Sequence, residues 1–392
     1  MKGYIAMDRD DETKEALSPR EDAPSLIGDT ASKDERSLRN CNFIKTLLMI
    51  SVVLAHATLW WGGEWFTSVA CPEVLAVLPQ IGSYLCSFNI YCFALISGYL
   101  FYHLKIERNA YQGYGSFLWK KVKRLMIPYF FITTVWIMPI SFFFHHYDFK
   151  TILLYYYLGT GGEQLWFLLM LFWVFLFFYP LAHFSDKHPI YGGMIALLFY
   201  GVGLIGGHFL PNVYQVFTGC DYAIFFYLGF LLRKYGFSKL NKVPSLVWVA
   251  VQIGMYVGVY FFSRSGFEGF IFKALNIGLN FILHIFGALS FFLVLQKLGS
   301  RIRWDNKVMR FIGERSMVVY ELHQQIVFFC IYFLNGLIPP YVHALINFLI
   351  AFSLSLGIAS LLLLWNPTRF LVGEKWRKKV PLKDGDGPRA AA

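Results

Sequence analysis

Charge is what this sequence has least of. Only 15% of its 392 residues are Asp, Glu, Lys or Arg, against about 25% in soluble domains. A chain so poor in charge is neither a water-soluble globule nor a disordered polymer. Metal-ligand spacing is lacking too. The six cysteines form no CxxC pair and join no His/Asp grouping, which excludes a sequence-evident metal centre. Cys71 and Cys220 are read as two lone thiols rather than a disulfide. No GxxxxGK[ST] or GxGxxG loop is present to cradle a nucleotide phosphate. No apolar core of a signal peptide follows Met1.

What the chain has instead is apolar bulk. Hydrophobic residues make up 57%, with 41 Phe, 24 Tyr and 11 Trp, and the mean hydropathy is +0.50. Such a composition needs an apolar solvent, so the fold class is an all-α polytopic integral membrane bundle. Residues 1–40 carry 17 charges and read as a disordered cytoplasmic tail. Residues 41–370 form the membrane domain, and 371–392 a second polar cytoplasmic tail. Ten apolar segments are predicted to be spans: about 42–61, 81–103, 125–144, 164–182, 189–209, 221–236, 244–263, 272–297, 317–337 and 341–366.

The loops supply an orientation. With both termini inside, only Lys150, Arg264 and Lys273 of the 35 Lys and Arg residues fall outside. This asymmetry predicts ten spans, N-in and C-in. It also accounts for the basic excess without a nucleic-acid partner.

Ionisable groups inside apolar segments are costly, and five features stand out. His56 lies deep in the first segment, eleven residues after Lys45. Eleven helical steps return to within about 20° of the start and rise about 16 Å, so the two side chains share a face. A snorkelling lysine and a structural histidine are the alternative. The run KKVKR opens the third segment. Lys120, Lys121, Lys123 and Arg124 suit a phosphate-bearing ligand or lipid heads, and a plain positive-inside flank is the alternative. Asn276, Asn280 and His284 form one stripe on the eighth segment, fitted equally to packing and to pore lining. The ninth begins RSMVVYELHQQIV, and its Tyr320, Glu321, His323, Gln324 and Gln325 predict a wet cavity opening to the inside. Glu321 has as alternatives snorkelling to the surface, pairing with a cation, lining the cavity and orienting His284 or His323. The small-residue breaks around Ser97–Gly98 and Gly161–Trp166 are ordinary packing and interface features taken alone.

Taken in order, these residues resemble the membrane-bound acyltransferase family 3, over most of 42–366. The resemblance rests on Lys45 and His56 as basic residue and histidine. It continues in FxxxSGYL at 93–100, in Lys121 and Arg124 followed by Pro128, and in LWFL at 165–168. YLGFLL at 227–232 and IGERSMVVYELH at 312–323 complete it. The chain departs from the family at Gln164, where histidine is common, at Lys45 and Lys121, where arginine is common, and at Glu321, where an apolar residue is usual.

The resemblance implies an acyl-CoA-dependent O-acetyltransferase of the cell (plasma) membrane. Acetyl-CoA is then a co-substrate, with no permanently bound cofactor and no metal. The partners it implies are acyl-CoA, the bilayer and a hydroxyl of a cell-envelope glycan. It implies His56 and Lys45 as catalytic residues. Lys120, Lys121, Lys123 and Arg124 become the donor site, while Ser97, Gln164, Trp166, Asn280, His284, Tyr320, Glu321 and His323 become cavity-lining candidates. A transporter or flippase of a lipid-linked precursor is the competing class, since it needs the same intramembrane polar path.

Overall fold

In the computed structural model, residues 33–377 are described, apart from 146, 162 and 303. Most of both expected tails lies outside these residues. Among the described residues, ten helices are long and apolar enough to cross a membrane. They are α1 (Glu35–Gly62), α2 (Leu78–Glu107), α3 (Tyr114–Phe144), α4 (Glu163–Lys187), α5 (Pro189–Phe209), α6 (Val213–Tyr235), α7 (Ser245–Ser263), α8 (Phe270–Arg301), α9 (Lys307–Leu334) and α10 (Pro340–Leu362). A short α11 (Asn366–Leu371) follows. An even number of crossings puts both ends of the described chain on one face, called here the terminal face. The chain is a multi-pass membrane protein.

α1 and α9 are the most enclosed helices, and α5, α7 and α10 present most of their surface outward. α1 packs against α2, α8, α9 and α10, so it runs through the middle of the bundle. That position explains how it carries polar groups: neighbouring helices, not lipid, surround them.

Several boundaries move. The first helix starts at Lys33, so residues 33–40 are not tail. Asn40 ties their last turn to α8: it is buried and donates to Gln296 at 3.2 Å and Ser300 at 3.1 Å. α3 starts at Tyr114 and passes through two π-helical turns, Val122–Met126 and Thr133–Ile137. The basic run therefore sits inside a helix and its first π turn rather than at a helix start. Pro128, which lacks an N–H, follows that turn. α9 begins at Lys307, ten residues ahead of the apolar segment, and its Asn306 side chain caps the Met309 N–H at 2.9 Å.

α2 breaks at Ser87–Phe88, and the freed Ser87 carbonyl accepts from His284 Nδ1 at 2.9 Å. Tyr91 lies flat on the His284 ring, with centroids 4.1 Å apart. Asn280 donates to Asn276 O at 2.8 Å, within its own helix, and Asn276 accepts from Ser263 at 2.7 Å. The stripe on α8 is thus a packing feature, and Asn280 and His284 do not line the candidate site.

The FxxxSGYL segment is likewise a packing device. A Cβ on Gly98 would lie 1.8 Å from Phe226 O, and one on Gly229 the same distance from Leu95 O. Reciprocal glycines let α2 and α6 touch backbone to backbone, as small residues do in membranes. Ser97 bonds back to Phe93 O at 2.8 Å and does not reach the site. Gly98→Ala or Gly229→Ala must push the two helices apart, at about 1–3 kcal/mol. Gly258, with nothing within 4 Å, is the control. Thermal unfolding in detergent should show lower midpoints for the first two variants and none of that loss for Gly258→Ala.

Candidate active site

α9 brings its polar cluster to mid-depth. Tyr320, Glu321, His323, Gln324 and Gln325 are all buried, and Glu321, His323 and Gln325 are 0% exposed. Because α9 starts at Lys307, Glu321 is some 21 Å from the helix start. It therefore does not snorkel to the surface. Its two carboxylate oxygens have no hydrogen-bond partner among the described residues. Neither His284 nor His323 is oriented by it.

His323 turns toward α1. Its Nε2 lies 2.7 Å from His56 Nδ1. The rings are 7° from parallel with centroids 4.9 Å apart, the geometry of two imidazoles joined nitrogen to nitrogen in one plane. His323 Nδ1 faces two backbone carbonyls, Tyr320 O at 2.7 Å and Val319 O at 3.2 Å. Carbonyls only accept, so Nδ1 carries the proton. In the neutral ring His323 Nε2 is then the acceptor and His56 Nδ1 the donor. The His56 Nε2 is left with a free lone pair. Trp65 lies flat over the same imidazole at 5.1 Å and limits its tilt.

That nitrogen belongs to a residue lining a cavity of about 420 Å³, within the range of roughly 300–1,000 Å³ usual for small-molecule sites. Trp65, Phe66, Tyr147, Tyr155, Trp166 and Phe328 give it an aromatic wall, and Thr67, Glu163, Gln164 and Gln324 give it polar groups. Its loops, 63–77 and 145–162, connect the first two spans and the third and fourth, on the face opposite the termini. The cavity therefore opens away from the terminal face, contrary to the expectation of an inward-opening one. That expectation followed from starting α9 ten residues too late, which placed its polar groups near the wrong surface.

Glu163, which sequence reasoning passed over, organises the far side of the cavity. Its backbone is left-handed, with φ at 39°, a conformation that persists for a non-glycine residue only where its surroundings hold it. Ser141 donates to Oε1 at 2.8 Å and Tyr156 at 3.1 Å, while Gln325 donates to Oε2 at 2.8 Å and Gln324 at 3.3 Å. Gln164 adds three bonds to α9: its Nε2 donates to Glu321 O at 2.8 Å and Gln325 Oε1 at 2.6 Å, and its Oε1 accepts from Gln325 at 3.1 Å. Tyr320 closes the network on the Gln164 carbonyl. The amide of Gln164 thus ties the start of α4 to α9. An acid two residues before LWFL was the available signal, hidden because it falls at an apparent loop.

The basic residues lie on the terminal side. Lys121 Nζ sits 3.4 Å from the centre of the Phe175 ring, with no carboxylate partner among the described residues. Arg124 contacts Gly373 O at 2.9 Å and Glu374 at 3.2 Å. Lys45 is half-buried on α1, makes no hydrogen bond or ion pair among the described residues, and lies within reach of the Arg124 charge. Lys123 turns onto Trp119 and Lys120 onto Tyr111, each at 5.8 Å, while Lys121 points inward onto Phe175 and Arg124 stays exposed beside residues 373 and 374. The structure gathers His56, Gln164, Trp166, Tyr320 and His323 at or beside the cavity, and sets Lys45, Lys121 and Arg124 toward the opposite face.

A half-buried imidazole with a fixed tautomer, open to a cavity on one side and backed by a cluster of cations on the other, is an arrangement for moving a group between two substrates. An acyltransferase-domain family model matches residues 39–364. The chain belongs to the membrane-bound acyltransferase family 3. No curated protein and no solved structure matches it. Accordingly, this membrane acyltransferase should depend on His323 through the tautomer of His56. His323→Phe should lower the turnover number by up to about 10⁴-fold, the scale seen when a catalytic imidazole loses its orienting partner. His323→Gln, which keeps an acceptor for His56 Nδ1, should recover part of it. Single-turnover rates check both.

Proposed function

We propose that the protein transfers an acyl group, in the first instance acetyl, from acyl-CoA to a hydroxyl of a cell-envelope glycan, with His56 as general base. The observation that carries this is the free Nε2 of His56 at the cavity. The one-sided distribution of basic residues supports a cytoplasmic terminal face, with the cavity then on the far side of the plasma membrane.

Acyl-CoA then arrives from the terminal face. Lys121 and Arg124 take its phosphates, and Lys45 adds a third cation between them and the base. A pantetheine arm extended over roughly 15–20 Å reaches the level of His56. It passes the buried, unpartnered carboxyl of Glu321, which suits an amide N–H of the arm. The acceptor enters the cavity from the far face. Its aromatic wall and its amide and carboxylate groups suit a sugar ring, which presents apolar C–H faces and hydroxyl edges.

In the reaction, His56 Nε2 takes the proton of the acceptor hydroxyl as its oxygen attacks the thioester carbonyl. The tetrahedral intermediate collapses by breaking the C–S bond, and the thiolate of CoA leaves, to be protonated by the imidazolium. His323 holds the base in register, and Trp65 keeps the ring from turning. Closing the site between helices excludes the water that would hydrolyse the thioester.

Two variants separate the halves of the site. Lys121→Ala with Arg124→Ala should raise the Kd for CoA, each lost charge-assisted contact costing about 1.5–3 kcal/mol. Isothermal titration on the detergent-purified protein reads this. His56→Ala should bind CoA normally but lose about 10²–10⁴-fold in transfer rate. Ester-linked acetyl on envelope glycans, compared between cells with the wild type, with His56→Ala and without the gene, should be lost in the latter two. Equal acetyl content in all three would remove the proposal.

A further inference from the structure

The donor side of the molecule is not empty of anions. After α10 the chain turns through α11 and comes back as a strap, residues 366–377, laid against the first π turn of α3. The strap is closed on itself: Asn366 accepts from the Arg377 N–H at 2.7 Å, and Arg369 Nε donates to Lys375 O at 2.6 Å. Val372 is fully buried beneath it. Gly373 has φ of 69°, and a Cβ there would lie 2.7 Å from both Arg124 O and Pro128 Cγ. Only glycine lets the strap come this close to α3. The approach delivers the Gly373 carbonyl to Arg124 Nη1 at 2.9 Å and the Glu374 carboxylate to the same nitrogen at 3.2 Å. Lys45 and Glu321 also feel the Glu374 charge. A carboxylate of the chain therefore occupies the guanidinium that the donor reading gives to a phosphate.

We infer that Glu374 is a resident anion in the phosphate subsite, and that acyl-CoA binds by exchanging the Arg124–Glu374 pair for an Arg124–phosphate pair. The inference rests on the donor site proposed above. Carboxylate and phosphate compete for the same fork of N–H donors, and phosphate, with more charge and more acceptor oxygens, wins. While the strap is in place the cation cluster is partly neutralised, so an idle enzyme does not hold three uncompensated charges at the edge of the membrane. The strap also makes the subsite selective: a ligand must bring its own anion to displace Glu374.

Titration of the full-length, detergent-purified protein with CoA and with pantetheine, which has no phosphate, tests the exchange. Glu374→Gln keeps the size of the side chain and removes its charge. It should lower the Kd for CoA by about two- to fivefold, the scale of one partly exposed ion pair, and leave that for pantetheine within error. Gly373→Ala, which forces the strap off α3, should shift the CoA value in the same direction. An unchanged or raised Kd for CoA in Glu374→Gln would overturn the inference and make the carboxylate a support for Arg124. An equal fall for both ligands would also overturn it, since the strap would then be a steric cover only. Arg124→Ala keeps the two levels apart. If it weakens CoA binding while Glu374→Gln changes nothing, the donor site stands and the exchange falls. If it leaves CoA binding unaltered, the donor site itself is wrong and the exchange goes with it.

Discussion

The hydrogen bond between His56 and His323, 2.7 Å long, joins the two most enclosed helices of the bundle and settles the chemistry that the site can do. A histidine among apolar helices has two nitrogens to satisfy, and lipid satisfies neither. Here the backbone carbonyls of Tyr320 and Val319 fix the proton on one ring, that ring fixes the proton on the next, and the last nitrogen is left to the cavity. The rest of the architecture serves this chain of bonds. α1, which carries His56, runs through the middle of the bundle. α9 is held in place by Gln164 and Glu163, whose bonds to Gln324, Gln325 and the Glu321 carbonyl tie the start of α4 to it.

The two sides of the site differ in chemistry. On the terminal side, Lys45, Lys121 and Arg124 gather positive charge. On the far side, a 420 Å³ cavity is walled by aromatic rings and edged by amides. Lys45 and His56 share one face of α1 and mark the two levels, about 16 Å apart along the axis. In the proposed reaction a charged donor and a sugar-like acceptor reach His56 from opposite faces and need never share a compartment.

Much of this was legible in the sequence because lipid allows so few solutions. The shortage of charge left only a helical bundle or a barrel, and apolar runs gave ten helices at nearly their true positions. His56 and the polar cluster of α9 were visible for the same reason: each breaks an apolar run at a cost that needs an explanation. What the sequence hid were the helix ends. KVMRFIGERS reads as a polar loop, yet it is the first turns of α9, so Glu321 looked superficial and the cavity was placed on the wrong side. The stripe on α8 fitted packing and pore lining equally, because a sequence does not record that α2 breaks at Ser87 and offers His284 a free carbonyl. Glu163 stayed hidden because its left-handed backbone reads as loop, although the loop exists to set that carboxylate among four donors.

Sidedness is the central claim, and reconstituted vesicles measure it directly. Acyltransferase inserted with a determined orientation is given labelled acetyl-CoA on the terminal face only, with a glycan acceptor confined to the opposite face. The account predicts labelled ester on the acceptor and free CoA on the donor side, with no ester when His56 is alanine. Ester formed only when donor and acceptor share the terminal face would contradict it.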